Sequence, residues 1–241
     1  MGPVLVLASA SPARASTLRS AGVEPLVRVS GVDEDAVMAR LLQKVGPNPT
    51  PEQIVCAEAE AKTESVARLC VSDLNQAGIL QGSPRPQTDM YLVVGADSML
   101  EIGGRMVGKP GTPEVARERI LEMQNSDGVL WSGHCVIPIR READAWVQGE
   151  PLVDAASTIV HFGSISPAEI DAYVATGEPL NVAGSFTIDG LGGPFIEGVT
   201  GDPHSVVGIS LPLLKKLTDK AGVFWPDLWA DKPGNEPPTV G

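Results

Sequence analysis

Residues 91–110 read YLVVGADSMLEIGGRMVGKP. Leu92-Val93-Val94 is a continuous apolar run, the mark of a strand buried on both faces. It closes on Gly95-Ala96 and then on a lone acid, Asp97. A second short apolar piece leads to a Gly103-Gly104 turn. Gly108-Lys109-Pro110 then sets a lysine between a flexible and a rigid residue. In α/β chains, polar sites gather where buried strands end. The reading is a strand that delivers Asp97 at its end, with Lys109 facing the same bound phosphate chain.

Working outward, residues 3–8 form another apolar run and a second buried strand. Ser11 then caps a helix with Pro12 in its first turn, stopped by Gly22. A strand over 25–32 ends in Asp33-Glu34-Asp35. Thr50-Pro51-Glu52-Gln53 is a capping box opening a long helix to about residue 70. Residues 72–90 carry Gly, Pro and Gln without periodicity and read as a mobile surface loop. Thr112-Pro113-Glu114 opens a helix to about residue 124. Two long strands follow, 129–139 and 143–162, the second broken by a bulge or bend near 149–151. Ser166-Pro167-Ala168-Glu169 opens a helix to residue 176. Residues 177–204 read as a long functional loop, and 205–220 as a helix bent or split at Pro212. The proline-rich end, 225–241, reads as an extended surface strap. Alternating strands and helices, then long strands, predict an α/β fold with a mixed twisted sheet and flanking helices. The expected organisation is one domain over 1–223 with a tail over 224–241.

Composition narrows the function classes. The 241 residues are 43% hydrophobic and 4% aromatic, with net charge -12. Such an acidic chain repels a nucleic acid polymer, but a local cluster of cations still admits a small nucleotide. Cys56, Cys70 and Cys135 fit no zinc spacing and read as reduced thiols of a cytoplasmic protein. No apolar stretch reaches the roughly 20 residues that span a membrane.

Four features carry chemistry, each with a plainer alternative. Ser9–Arg14 joins a strand to a helix N-terminus, which is either an anion cradle or a capped helix with a solvated arginine. Lys62 lies on the stripe of Val55, Ala59, Val66 and Leu69, and either snorkels past the core or points into a polar cleft. Glu34 and Asp97, at strand ends, are turn residues or a pair that holds a divalent cation. Lys109 is an exposed turn lysine or a phosphate ligand. GxxxxGK[ST], GxGxxG, GxSxG and HExxH are all absent. His134, His161 and His204 show no ligand spacing.

Taken in order, these motifs resemble the Maf nucleoside triphosphate pyrophosphatases. The carriers are Ser9-Ala10-Ser11-Pro12-Ala13-Arg14, Asp33-Glu34, Lys62, Gly95-Ala96-Asp97-Ser98 and Gly108-Lys109-Pro110. Further along are Tyr173–Pro179, Ala183-Gly184 and Gly201–Gly208. The resemblance implies two lobes around a nucleotide cleft, as in inosine-triphosphate pyrophosphatases, and a homodimer. It implies hydrolysis of a nucleoside triphosphate to the monophosphate and pyrophosphate with Mg²⁺ or Mn²⁺. Asp97 would be the proton acceptor. Glu34 would assist, and Asp97 and Glu34 would hold the metal. Lys62, Lys109 and Arg14 would neutralise the triphosphate, with Ser9 and Ser11 binding it. The chain departs from the family at Ala13, Ser98 and Asp189, positions tied to base preference, and matches neither characterised set. The other reading is a non-catalytic nucleotide-binding regulator of septum formation; a general metal-dependent phosphohydrolase is a third.

Overall fold

The computed structural model describes residues 2–85 and 87–230. Strands β1 (Val4–Leu7), β2 (Leu26–Val27), β3 (Met90–Ile102), β4 (Arg105–Val107), β5 (Asp127–Glu142), β6 (Ala145–Gln148), β7 (Leu152–Phe162) and β8 (Ile196–Thr200) form one sheet. Its order is β2-β1-β3-β5-β7-β8, with β4 on β3 and β6 on β5. β1 is parallel to β2 and β3, and every other pairing is antiparallel. The sheet is therefore mixed, as expected.

Helices α1 (Pro12–Ser20), α2 (Glu34–Val45), α3 (Pro51–Ala77), α4 (Pro113–Met123), α5 (Pro167–Ala175), α6 (Pro203–Val207) and α7 (Leu211–Lys220) flank it. Ser11, Thr50, Thr112 and Ser166 each cap the helix they were expected to open. Side chains alternate across a strand, and the core follows that rule. Val4, Val6, Tyr91, Val93, Cys135 and Ile137 pack under α3. Leu5, Leu7, Leu92, Val94 and Val136 pack under α1 and α7 on the other face. Further along that second face, Leu100, Leu130 and Val160 pack under α4 and α5. Between these two clusters runs a polar seam of buried Ser132, His134 and Thr158. The apolar packing on this face thus divides in two, with the seam as the divide.

Several boundaries differ from the sequence reading. Asp97 is not at a strand end, because β5 pairs with β3 without interruption from Met90 to Glu101. The strand expected at 25–32 shrinks to Leu26–Val27, and Glu34 belongs to the first turn of α2, capped by Asp33. α3 continues through Ala77, into the expected loop, because Leu74 is buried and Asn75 hydrogen-bonds both N–H and C=O of Trp146. Leu69 is 58% exposed, so Cys70 and Leu74 carry the stripe instead.

The bend near 149–151 is a β-bulge. Gln148 pairs with Ile139 and Leu152 with Val136, a step of four residues against three. Residues 177–204 include β8 and three short 3₁₀ turns. The last helical stretch breaks at Gly208, whose φ of +118 suits glycine, and Pro212 sits in the first turn of α7. At the C-terminal end, Trp225–Leu228 is a 3₁₀ turn with Leu228 buried, rather than a strap. Residues 231–241 lie outside the described residues.

Candidate active site

The site is a gap in the sheet. On the β1 side of β3, pairing runs to Val94, opposite Leu7, and resumes only at Leu100, opposite Val107 of β4. Among the described residues, the segment between has a strand neighbour on its β5 side alone. The chain leaving β1 carries Ser9–Arg14, and the chain leaving β4 carries Gly108-Lys109-Pro110. Both motifs therefore flank the open edge of β3 that holds Asp97 and Ser98. Strand alternation sends these two side chains to opposite faces.

On the α3 face, Lys62 Nζ donates to Asp97 Oδ1 at 2.7 Å. The same ammonium lies 2.8 Å from Glu34 Oε1 and 3.9 Å from Glu58 Oε2. α3 comes this close because the sheet lacks side chains beneath it. A Cβ at Gly133 would lie 2.1 Å from the Val55 carbonyl oxygen, and one at Gly95 would lie 2.2 Å from Thr63 Oγ1. Burial alone would pull the Lys62 pKa down. The Asp97 charge and the hydrogen bonds to Asp97 and Glu34 outweigh it and hold the pKa above the usual lysine value. The Lys62 hydrogen bond, and then its charge, draw Glu34 below the usual carboxylate range. Burial pushes Glu58 up to about 7, with Lys62 opposing.

On the other face, Arg14 reaches across from α1. Its Nε donates to the Gly208 carbonyl at 2.8 Å, Nη1 to Ser9 Oγ at 3.1 Å and Nη2 to Ser98 Oγ at 3.4 Å. Burial lowers its pKa, opposed by the Asp97 charge. Ser98 Oγ also lies 2.8 Å from Ser132 Oγ, which donates to the Ser205 carbonyl. His134 locks this seam. The Ser210 N–H donates to its Nε2 at 2.8 Å, so Nδ1 carries the proton and donates to the Ser132 carbonyl. Burial drops its pKa to about 4, so the ring is neutral.

The remaining expected residues divide. Ser11 caps α1 and donates its own N–H to Ser9 Oγ. Ala13 is half-buried in the first turn of α1. Lys109 is exposed, and its charge reaches Glu34. The Gly108 carbonyl before it accepts from Arg119 Nη1 at 2.5 Å and from the Gly184 N–H at 3.4 Å. Arg119 also donates to Ser185 Oγ. Asp189 is exposed in the turn that Glu178 organises by accepting from Thr187 Oγ1 and the Leu191 and Gly192 N–H groups. It contacts neither the Lys62 nor the Arg14 cluster. His204 pairs with Asp202 at the start of α6, outside both clusters.

Sequence reasoning missed Glu58 and Arg119. Glu58 could have been found, since it shares the Lys62 stripe one turn earlier. Nothing local marks Arg119.

Three carboxylates surround one ammonium, so the α3-face cluster keeps a net negative charge even with Glu58 protonated. Asp97 and Glu34 offer the hard oxygen donors that Mg²⁺ and Mn²⁺ take. The set fits such an ion once phosphate oxygens or water fill its other positions. Among the described residues, no three His, Cys, Asp or Glu side chains form a ready-made metal cage. The cysteines are free thiols, pushed by burial up to about 11 at Cys56 and Cys70 and about 12 at Cys135. No described helix is long and apolar enough to cross a membrane.

Known proteins share this arrangement of sequence. A family model described as Maf-like protein matches residues 4–221. A nucleoside triphosphate pyrophosphatase of Saccharopolyspora erythraea is 50% identical over 226 residues, covering 93% of this chain and 96% of the relative. Proteins of that name from Nocardia farcinica (48%, covering 95% and 98%) and Mycobacterium sp. strain JLS (46%, covering 93% and 97%) are similar too. The match starts with the first residue of β1 and ends at the residue closing α7, so both flanks of the sheet gap fall inside it, and the chain belongs to the Maf family.

Proposed function

We propose that this protein hydrolyses a nucleoside triphosphate between its α- and β-phosphates, giving the monophosphate and pyrophosphate. The observation that carries the reading is the sheet gap. It brings a strand acid with a lysine on one face within reach of an arginine held by neutral acceptors on the other. A phosphate chain laid across the open edge of β3 meets all of these groups.

Asp97 accepts the proton of the attacking water. Its Oδ1 is held by Lys62, which leaves Oδ2 without a hydrogen-bond partner among the described residues. Lys62, Lys109 and Arg14 neutralise the charge that builds on the phosphoryl oxygens, an electrostatic contribution placed before the reaction begins. Ser9 and Ser11, in the turn leading to the α1 N-terminus, bind phosphate oxygens. Glu34 orients the water and steadies Lys62. A divalent cation, Mg²⁺ or Mn²⁺, held by Asp97 and Glu34, would add Lewis-acid polarisation of the phosphoanhydride.

Ala13, Ser98 and Asp189 are proposed to tune base preference, and the expected role is removal of non-standard nucleotides. The working protein is taken to be a cytoplasmic homodimer that binds no nucleic acid polymer, in keeping with its net charge of -12. A panel of canonical and modified triphosphates assayed for pyrophosphate release with Mg²⁺ or Mn²⁺ tests the reaction and the base together. Release from at least one triphosphate, lost in Asp97→Asn with nucleotide binding kept, is the expected result. Binding without release from any triphosphate would leave the regulator reading in its place, and orthophosphate as product would favour a general phosphohydrolase.

A further inference from the structure

Glu58 has no part in the mechanism above, yet it is the most deeply buried acid at the site. Its residue exposure is 6%, and among the described residues Oε2 has no hydrogen-bond partner. A buried carboxylate oxygen without a hydrogen bond is costly, so a core position that keeps one calls for a reason. Among the described residues its one ion-pair partner is Lys62, one turn on along α3, at 3.9 Å. That ammonium is the group that also grips Asp97 and Glu34.

We propose that Glu58 is a positioning residue for the reaction: as the third acid around Lys62, it competes with Asp97 for the ammonium and sets how firmly Lys62 masks the Asp97 carboxylate. The charged groups that bear on Glu58 are Lys62 on its own helix, Asp97 on β3 and Glu34 on α2. When Glu58 is ionised it attracts the ammonium and adds negative charge near Asp97, and both effects make Asp97 a better proton acceptor. When Glu58 is protonated, Lys62 settles on Asp97 and Glu34. Burial places the changeover near neutral pH, because it pushes the Glu58 carboxyl up to about 7.

The inference rests on the pyrophosphatase reading, so the test has one arm with substrate and one without. In the first, kcat and KM for pyrophosphate release are measured with Mg²⁺ from pH 5.5 to 9 for wild type, Glu58→Gln and Glu58→Leu. Both variants are expected to fold. At pH 8 their kcat should fall about tenfold, the equivalent of one pKa unit, with KM little changed. The limb centred near pH 7 in the wild-type kcat profile should be missing. In the second arm, the Lys62 side-chain NMR signals are followed through the same range without nucleotide. The wild type should show an inflection near pH 7 that both variants lack. Folded variants with wild-type kcat and an intact limb would overturn the proposal. Loss of the fold in both variants would do so too, by making Glu58 a structural acid. If the wild type releases no pyrophosphate, the reaction reading fails, while the Lys62 inflection still decides for or against the placement of Glu58.

Discussion

Arg14 and Lys62 approach the same stretch of β3 from opposite faces of the sheet, and they are held in opposite ways. Arg14 is fixed by two hydroxyls and a carbonyl, none of them charged. Among the described residues, no carboxylate is bonded to it. Lys62 is surrounded by Glu34, Glu58 and Asp97. Its charge is more than cancelled. The first arrangement has the charge to suit an anion, and the second the charge to suit a cation; the proposed reaction uses both. Two adjacent strand residues, Asp97 and Ser98, join the halves. A nucleoside triphosphate with its divalent counter-ion carries both signs of charge, and the gap offers each sign its complement.

Substitutions on each face separate the two arrangements. The largest effect is expected from Asp97→Asn, which keeps the shape and removes the proposed base. Pyrophosphate release should fall about 10³-fold, within the usual range for loss of a general base, while calorimetry still detects nucleotide binding. Arg14→Ala attacks the other face. It should cost about 10²–10³ in kcat, the loss typical of one preorganised donor. Arg14→Lys should recover only part of this, because an ammonium cannot span Gly208, Ser9 and Ser98 with one rigid fork.

Two buried groups give the faces opposite pH responses in stability. His134 has a folded pKa of about 4, below its unfolded value of 6.5. The unfolded chain binds the proton first, so stability is lost as pH falls from about 6.5 towards 4, by up to about 3 kcal/mol. Glu58 has a folded pKa of about 7, above its unfolded 4.5. The folded chain keeps the proton longer, so stability is lost as pH rises through that window, again by up to about 3 kcal/mol. Urea unfolding at pH 4.5, 6 and 8 should show the alkaline loss shrink in Glu58→Gln and the acid loss shrink in His134→Gln. A pH-independent difference between either variant and the wild type would contradict the assignment. The smallest effect is expected from Ser98→Ala, which removes a neutral partner of Arg14. The cost should be about 1 kcal/mol in transition-state binding, read as roughly a fivefold drop in kcat/KM.

Much of this was legible in the chain, and the parts that were not share a physical reason. Helix starts at Ser11, Thr50, Thr112 and Ser166 depend on local side chain to backbone bonds, so a short window of sequence contains them. The bulge at 149–151 was legible for the same reason. Asp97 was found as a lone acid after an apolar run, but its position within β3 was not. Whether a strand ends is decided by its neighbour, and β5 continues where β1 stops. α2 went unread although Asp33, Val37 and Leu41 mark a cap and an apolar face. In the sequence the acidic turn reads as the end of the preceding strand. α3 was cut short because its last turns look polar, and only Leu74 and the Asn75 bonds to Trp146 show why they stay helical. Arg119 and Glu178 act by bonding to groups in other turns and loops, beyond the reach of a helical or strand period, which no local pattern announces.

In the proposed reaction, water activated from the Asp97 side attacks the phosphoryl group nearest the nucleoside. Hydrolysis in H₂¹⁸O, with the products separated and weighed by mass spectrometry, tests this directly. The label should appear in the nucleoside monophosphate, with the pyrophosphate unlabelled. Label in the pyrophosphate, or labelled orthophosphate as the main product, would contradict the account.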